Sequence, residues 1–192
     1  MKSVLVFCGS NKGANPVYEQ AAQELGTVLA KQGIRLVYGA GNVGLMGVVA
    51  DAALAHGGEV LGVIPYFLKE KEVCHTELTE LIVVDSMAER KLIMAEHSDG
   101  VITLPGGYGT LDELFEMLTL VQISQVSQPI GVLNVEGYFD HLIAQLDWMN
   151  RERFLKDAHR DLLIVSEKID DLLAQMQQHK SIGEVGKWES RD

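Results

Sequence analysis

Val101-Ile102-Thr103-Leu104-Pro105-Gly106-Gly107-Tyr108-Gly109-Thr110-Leu111-Asp112-Glu113 is the stretch from which the fold can be read. Val101–Leu104 is short, rich in β-branched residues and free of polar alternation. A strand of that kind is buried on both faces, as in a parallel sheet covered by helices. Pro105 stops it, and Gly106, Gly107 and Gly109 follow within five positions. From Thr110 to Ser124 the apolar residues recur with helical period. Strand, glycine loop and helix thus follow one another directly.

The same unit recurs in both directions. Upstream, Ser3–Cys8 reads as a strand, Gly9-Ser10-Asn11-Lys12-Gly13 as a tight loop, and Pro16–Gln32 as a helix with Pro in its first turn. Strand Arg35–Tyr38 leads through Gly39-Ala40-Gly41-Asn42-Val43-Gly44 into helix Leu45–His56, which Gly57-Gly58 ends. Glu59–Ile64 is a strand, 66–79 a mixed polar stretch with a short helical piece, Leu81–Val84 a strand and Met87–His97 a helix. Downstream, Pro129–Leu133, Tyr138–Met149, Leu162–Val165 and Ile169–Gln178 continue the alternation. The expectation is one α/β domain over residues 1–179: a doubly wound, Rossmann-like fold with a mainly parallel sheet of about seven strands flanked by helices. From Lys180 the apolar period is lost, and a loosely held tail over 180–192 is expected.

Sixteen basic residues against 27 acidic ones give a net charge of −11, which disfavours a nucleic-acid or anionic-membrane surface. One small anion remains compatible, because a few backbone N–H groups at a helix start can hold a phosphate. No apolar run approaches the ~20 residues that span a bilayer. The apolar run after Lys2 is too short for a signal peptide and reads as a buried strand. Cys8 and Cys74 form no CxxC pair, so reduced thiols in a cytoplasmic protein are expected.

In an open parallel sheet, ligands bind beyond the carboxyl ends of the strands. All three glycine loops sit there, which points to a nucleotide-sized ligand. The first loop lacks the GxGxxG spacing, and none ends in Gly-Lys-Ser/Thr, so NAD and ATP are disfavoured. The third loop is the best phosphate cradle. Glu113 has two readings. Thr110-Leu111-Asp112-Glu113 fits a capping box, with Thr110 as cap and Glu113 reaching back to it. Alternatively, an acid beside an anion cradle is a catalytic group. Arg90-Lys91 likewise reads either as a solvated pair or with Arg90 in the cleft, neutralising a phosphate or orienting an acid. His75 and His97 lack metal-ligand spacing, Ser10 lacks a nucleophile elbow, and Met46, Met87, Met94 and Met117 read as core filling.

Taken together, these segments resemble the LONELY GUY family of cytokinin riboside 5′-monophosphate phosphoribohydrolases, long mislabelled as lysine decarboxylases. The resemblance runs from about Val4 to Phe154. It is carried by Pro-Gly-Gly-x-Gly-Thr-x-x-Glu from Pro105 to Glu113 and by five blocks in order: FCGSNKG, VYGAGNVGLMG, GVIP, LTELIVVDSMAERK and NVEGYFD. It implies that Arg90 and Glu113 are the catalytic pair and that Gly106, Gly107, Gly109 and Thr110 hold the 5′-phosphate. Ser10, Gly41 and Lys91 complete the expected binding set. Two positions depart from the family: Ala88 stands where a histidine is frequent, and Ala40 where a glycine is, so that a methyl could narrow the base pocket.

The implied reaction releases free base and ribose 5-phosphate from a purine nucleoside monophosphate, AMP or an N6-substituted AMP, with no cofactor and no metal. Its transition state is oxocarbenium-like, so a carboxylate beside the anomeric carbon stabilises it. Glu113 takes that role and activates the attacking water or a ribose hydroxyl, while Arg90 holds the acid. A homodimer is expected, with the cleft near the interface, because segments Met87–His97 and Thr110–Gln122 carry more apolar positions than one buried stripe needs. The alternative is a non-catalytic carrier of a nucleotide or molybdenum cofactor on the same fold. A pyridoxal-phosphate decarboxylase lacks a clear lysine constellation, and the charge disfavours a single-strand DNA binder.

Overall fold

The computed structural model describes residues 1–70 and 74–179. Its strands are β1 (Ser3–Phe7), β2 (Arg35–Tyr38), β3 (Val60–Pro65), β4 (Glu80–Val84), β5 (Val101–Thr103), β6 (Ile130–Leu133) and β7 (Leu163–Ser166). Between and after them lie α1 (Pro16–Lys31), α2 (Gly44–Ala55), α3 (Tyr66–Lys69), α4 (Met87–Glu96), α5 (Tyr108–Gln122), α6 (Asp140–Arg151), α7 (Asp157–Arg160) and α8 (Ile169–Gln178). The seven strands form one sheet in the order β4-β3-β2-β1-β5-β6-β7, and every neighbouring pair is parallel.

Most expected bounds hold to within one or two residues, but two starts differ for physical reasons. Helix α5 begins at Tyr108, ahead of Thr110. Helix α6 begins at Asp140 because a 3-10 turn, Val135–Gly137, precedes it with Glu136 and Gly137 both at positive φ. The short helical piece expected after Pro65 is α3. The tail expected from Lys180 lies outside the described residues.

Alternation along each strand divides the core into two. Val4 and Val6 of β1 pack with α1, α2 and α8, whereas Leu5 and Phe7 face α4, α5 and α6. All four are almost fully buried, each burial worth about 1.5–3 kcal/mol, so β1 is pinned from both sides. The chain winds outward from β1 to β4, then crosses back to β5 on the other side of β1. That reversal, between β1 and β5, is the crevice where such sheets bind ligands.

Backbone contacts draw the glycine loops together at this crevice. Gly9 N–H donates to the Pro105 carbonyl at 3.0 Å, and Leu45 N–H donates to the Gly9 carbonyl at 2.9 Å. Gly44 has φ +63°, and a Cβ there would sit 2.2 Å from the Ser10 carbonyl carbon. Only glycine lets α2 start so close to the first loop.

Helices α1 and α2 also meet through a glycine. A Cβ on Gly26 would lie 2.3 Å from the Val49 carbonyl oxygen and 3.0 Å from Ala52 Cβ. Helix propensity alone favours Gly26→Ala by about 1 kcal/mol. Overpacking against an immovable backbone oxygen costs about 1–3 kcal/mol and outweighs it. Gly26→Ala is therefore expected to lower the thermal midpoint, measured by circular dichroism; an unchanged or raised midpoint would show that α1 and α2 can part without cost.

Candidate active site

The start of α5 shapes the site. Its N-cap is Gly107, which gives no side-chain hydrogen bond, and Leu111 N–H returns to the Gly107 carbonyl at 3.1 Å. Thr110 is therefore the third helical residue, not the cap, and the capping-box reading of Thr110 and Glu113 fails. The first amides of a helix have no intrahelical acceptor, so those of Tyr108, Gly109 and Thr110 are available to an anion. Gly106 is required beneath them, since a Cβ there would fall 2.1 Å from Thr110 Oγ1. The capping device belongs to α4 instead: Ser86 Oγ accepts from Glu89 N–H at 3.1 Å, and Glu89 Oε2 accepts from Asp85 N–H at 2.9 Å. The Ser86-x-x-Glu89 spacing was the signal for it.

Arg90 is only 7% exposed, so the solvated-pair reading fails for it. Its Nε donates to the Val63 carbonyl of β3 at 3.0 Å and its Nη2 to the Gly39 carbonyl after β2 at 2.9 Å. Nη1 lies 3.8 Å from Glu113 Oε1. A Cβ on Gly39 would stand 1.8 Å from Nη2, so this guanidinium seat needs a glycine. Lys91 turns elsewhere, pairing with Asp112 at 3.2 Å and with Glu116.

The cleft at the crevice measures about 320 Å³. Of the expected site residues it brings together Ser10, Arg90, Gly107, Gly109, Thr110 and Glu113. Gly106 does not line it, though its neighbour Gly107 does. Lys91 and Gly41 do not line it: Lys91 faces a separate cavity, and Gly41 bridges to Cys74 through the backbone. Met46 and Met87, read as core, line the cleft with Leu68 and Tyr108, whereas Met94 and Met117 are core. Ala40 has φ +61° and is fully buried with its methyl toward Gly62, which explains a glycine preference there and leaves the cleft unnarrowed.

Burial pushes the Glu113 carboxyl up to about 7, with Arg90 and Lys91 pulling it partly back. The Cys8 thiol is also driven well up, by burial and then by the Glu113 charge. A larger groove of about 800 Å³ opens elsewhere, but Glu24, Glu136, Glu167, Asp170 and Asp171 line it and repel a phosphate. Size does not locate this site; the convergence of free amides, a buried arginine and a near-neutral acid does. A third cavity, about 370 Å³ and largely apolar, lies between α4 and α5 and reaches Phe7 and Glu113 from behind, past Ala88.

Comparison with known proteins agrees with the site's motifs. A family model described as possible lysine decarboxylase matches residues 46–176. A probable cytokinin riboside 5′-monophosphate phosphoribohydrolase of Oryza sativa subsp. japonica is 43% identical, over 97% of this chain and 85% of its own. A cytokinin riboside 5′-monophosphate phosphoribohydrolase of Arabidopsis thaliana is 39% identical, over 98% of this chain and 90% of its own. Among solved structures, the molybdenum cofactor binding protein of Rippkaea orientalis superposes with a TM-score of 0.69 at 22% identity, covering 93% of this chain and 97% of its own. The molybdenum cofactor carrier protein of Chlamydomonas reinhardtii gives 0.67 at 20%, covering 92% and 96%. Those two likenesses establish the fold alone. Identity near 40% over almost the whole length, together with an intact Pro105–Glu113 motif, means that the chain belongs to the LONELY GUY family.

Proposed function

We propose that this protein hydrolyses the N-glycosidic bond of a purine nucleoside 5′-monophosphate, AMP or an N6-substituted AMP such as a cytokinin riboside 5′-monophosphate. The products are free base and ribose 5-phosphate. The observation that carries the reading is one buried carboxyl, raised to about 7 and held by a buried guanidinium, beside the uncapped start of α5. The 5′-phosphate lies on the amides of Gly107, Gly109 and Thr110, within reach of Ser10. Glu113 faces the anomeric carbon. As the bond from that carbon to the base breaks, its electron pair leaves on the base, and the carboxylate stabilises the oxocarbenium-like sugar. Water adds to the carbon and gives its proton to Glu113, which hands it on to the departing base, and a pKa near neutrality suits both transfers. Two of the Arg90 nitrogens are spent on carbonyls, so Arg90 orients the acid and leaves the phosphate to α5. No cofactor or metal enters the reaction. A carrier needs no near-neutral acid, and the likeness to the solved carriers shows the fold alone.

We place the protein in the cytoplasm. Its two free cysteines suit a reducing compartment, and no helix of the described residues is long and apolar enough to cross a membrane.

A homodimer through α4 and α5 accompanies this reading. Leu92 is 57% exposed on α4, beside the apolar cavity that reaches Glu113. A second copy would cover both and shield the acid from water. Light scattering at micromolar concentration is expected to give twice the chain mass, and Leu92→Asp to give a monomer. A monomeric wild type would refute it.

Release of adenine, assayed with a chelator present, is expected from AMP and scarcely from adenosine. In the wild type kcat/KM should rise with pH through about 7, as Glu113 loses its proton. Glu113→Gln should cut turnover by about 10²-fold or more, abolish that rise and leave AMP binding intact. Near-wild-type turnover of Glu113→Gln would overturn the mechanism in favour of a carrier.

A further inference from the structure

The phosphate cradle contains a Gly106–Gly107 peptide, which two glycines leave free to flip. Gly106 cannot gain a side chain, because Thr110 fills the space. The structure nonetheless holds this peptide from outside the cradle. The Tyr138 hydroxyl donates to the Gly106 carbonyl at 2.7 Å. Its ring is set edge-on against Tyr18, with centroids 5.5 Å apart, and against Phe139, at 5.0 Å. Phe139 is buried, and its N–H donates to Asn134 Oδ1 at 2.8 Å, while Asn134 Nδ2 donates to Asp140 Oδ1 at 2.8 Å. The left-handed Glu136 and Gly137 turn the chain so that Tyr138 arrives beside the loop.

In a trans peptide the carbonyl and the following N–H point in opposite directions. Fixing the Gly106 carbonyl on Tyr138 therefore fixes the Gly107 N–H away from Tyr138, and Gly107 lines the cleft. We propose that Tyr138 is a positioning residue for the 5′-phosphate, locking the Gly106–Gly107 peptide with its N–H toward the anion. The proposal rests on the nucleotide reading above. Tyr138 touches no reacting atom, so it acts on binding and not on the bond-breaking step.

Tyr138→Phe removes the hydroxyl and keeps the ring contacts. Losing this hydrogen bond should raise KM for AMP and Kd for ribose 5-phosphate about fivefold, with kcat within about twofold. The thermal midpoint should fall by no more than about 4 °C, and the Kd for adenine, which carries no phosphate, should stay unchanged. If the wild type binds ribose 5-phosphate and Tyr138→Phe binds it equally well, the positioning role is wrong while the cradle stands. A fall in kcat at unchanged KM, or weaker adenine binding to match, would also overturn it as a phosphate-specific device. If the wild type fails to bind ribose 5-phosphate, the cradle reading fails and this inference falls with it.

Discussion

A guanidinium shut away from water must find acceptors, and the site is organised around how Arg90 finds them. Removing such a charge from solvent costs several kcal/mol unless its donors are satisfied. Arg90 meets that cost with carbonyls at the ends of two adjacent strands, Val63 and Gly39, and with the carboxyl of Glu113. One side chain thereby ties β2 and β3 to α4 and α5 at the carboxyl edge of the sheet. The seat leaves no room for a Cβ at position 39, and it holds a positive charge 3.8 Å from the acid.

Two negative groups would share the start of α5: the bound phosphate and Glu113. The helix dipole favours both there, and Arg90 offsets the charge of the nearer one. Burial works the other way and lifts the carboxyl toward neutrality. Between these opposing effects Glu113 can hold or give up a proton near pH 7, which is useful only to a group that handles protons. The glycines answer a different constraint. Gly9, Gly44 and Gly106 let three loops touch backbone to backbone, which leaves the helix-start amides open to a ligand.

Much of this was legible in the sequence. Buried strands between helices, with glycine at each turn, required a doubly wound sheet with its cleft at the glycine edge. Less legible was anything decided by which way a side chain turns. Periodicity could not tell whether Arg90 or Lys91 faced inward, because successive residues on a helix point about 100° apart and both are basic. Only the resemblance chose Arg90, and Lys91 and Gly41, expected in the binding set, do not line the cleft. The spacing from Thr110 to Glu113 imitated a cap because the true start, at Gly107, has no side chain to announce it. Met46 and Met87 looked like core residues, since apolar side chains lining a cleft follow the same spacing as those in a core. Tyr138 stood within a recognised block, but its tie to Gly106 spans 32 residues, and no local pattern predicts it.

Burial and the Arg90 seat together set the charge of Glu113. That balance is tested most directly by titrating the carboxyl through its carbon resonance, in protein labelled at the glutamate carboxyls, with Glu113→Gln assigning the signal. A midpoint near 7 is expected, and a higher one in Gly39→Ala, where the guanidinium is displaced and its charge no longer favours the carboxylate. A midpoint near the ordinary 4.5, unmoved by Gly39→Ala, would contradict it.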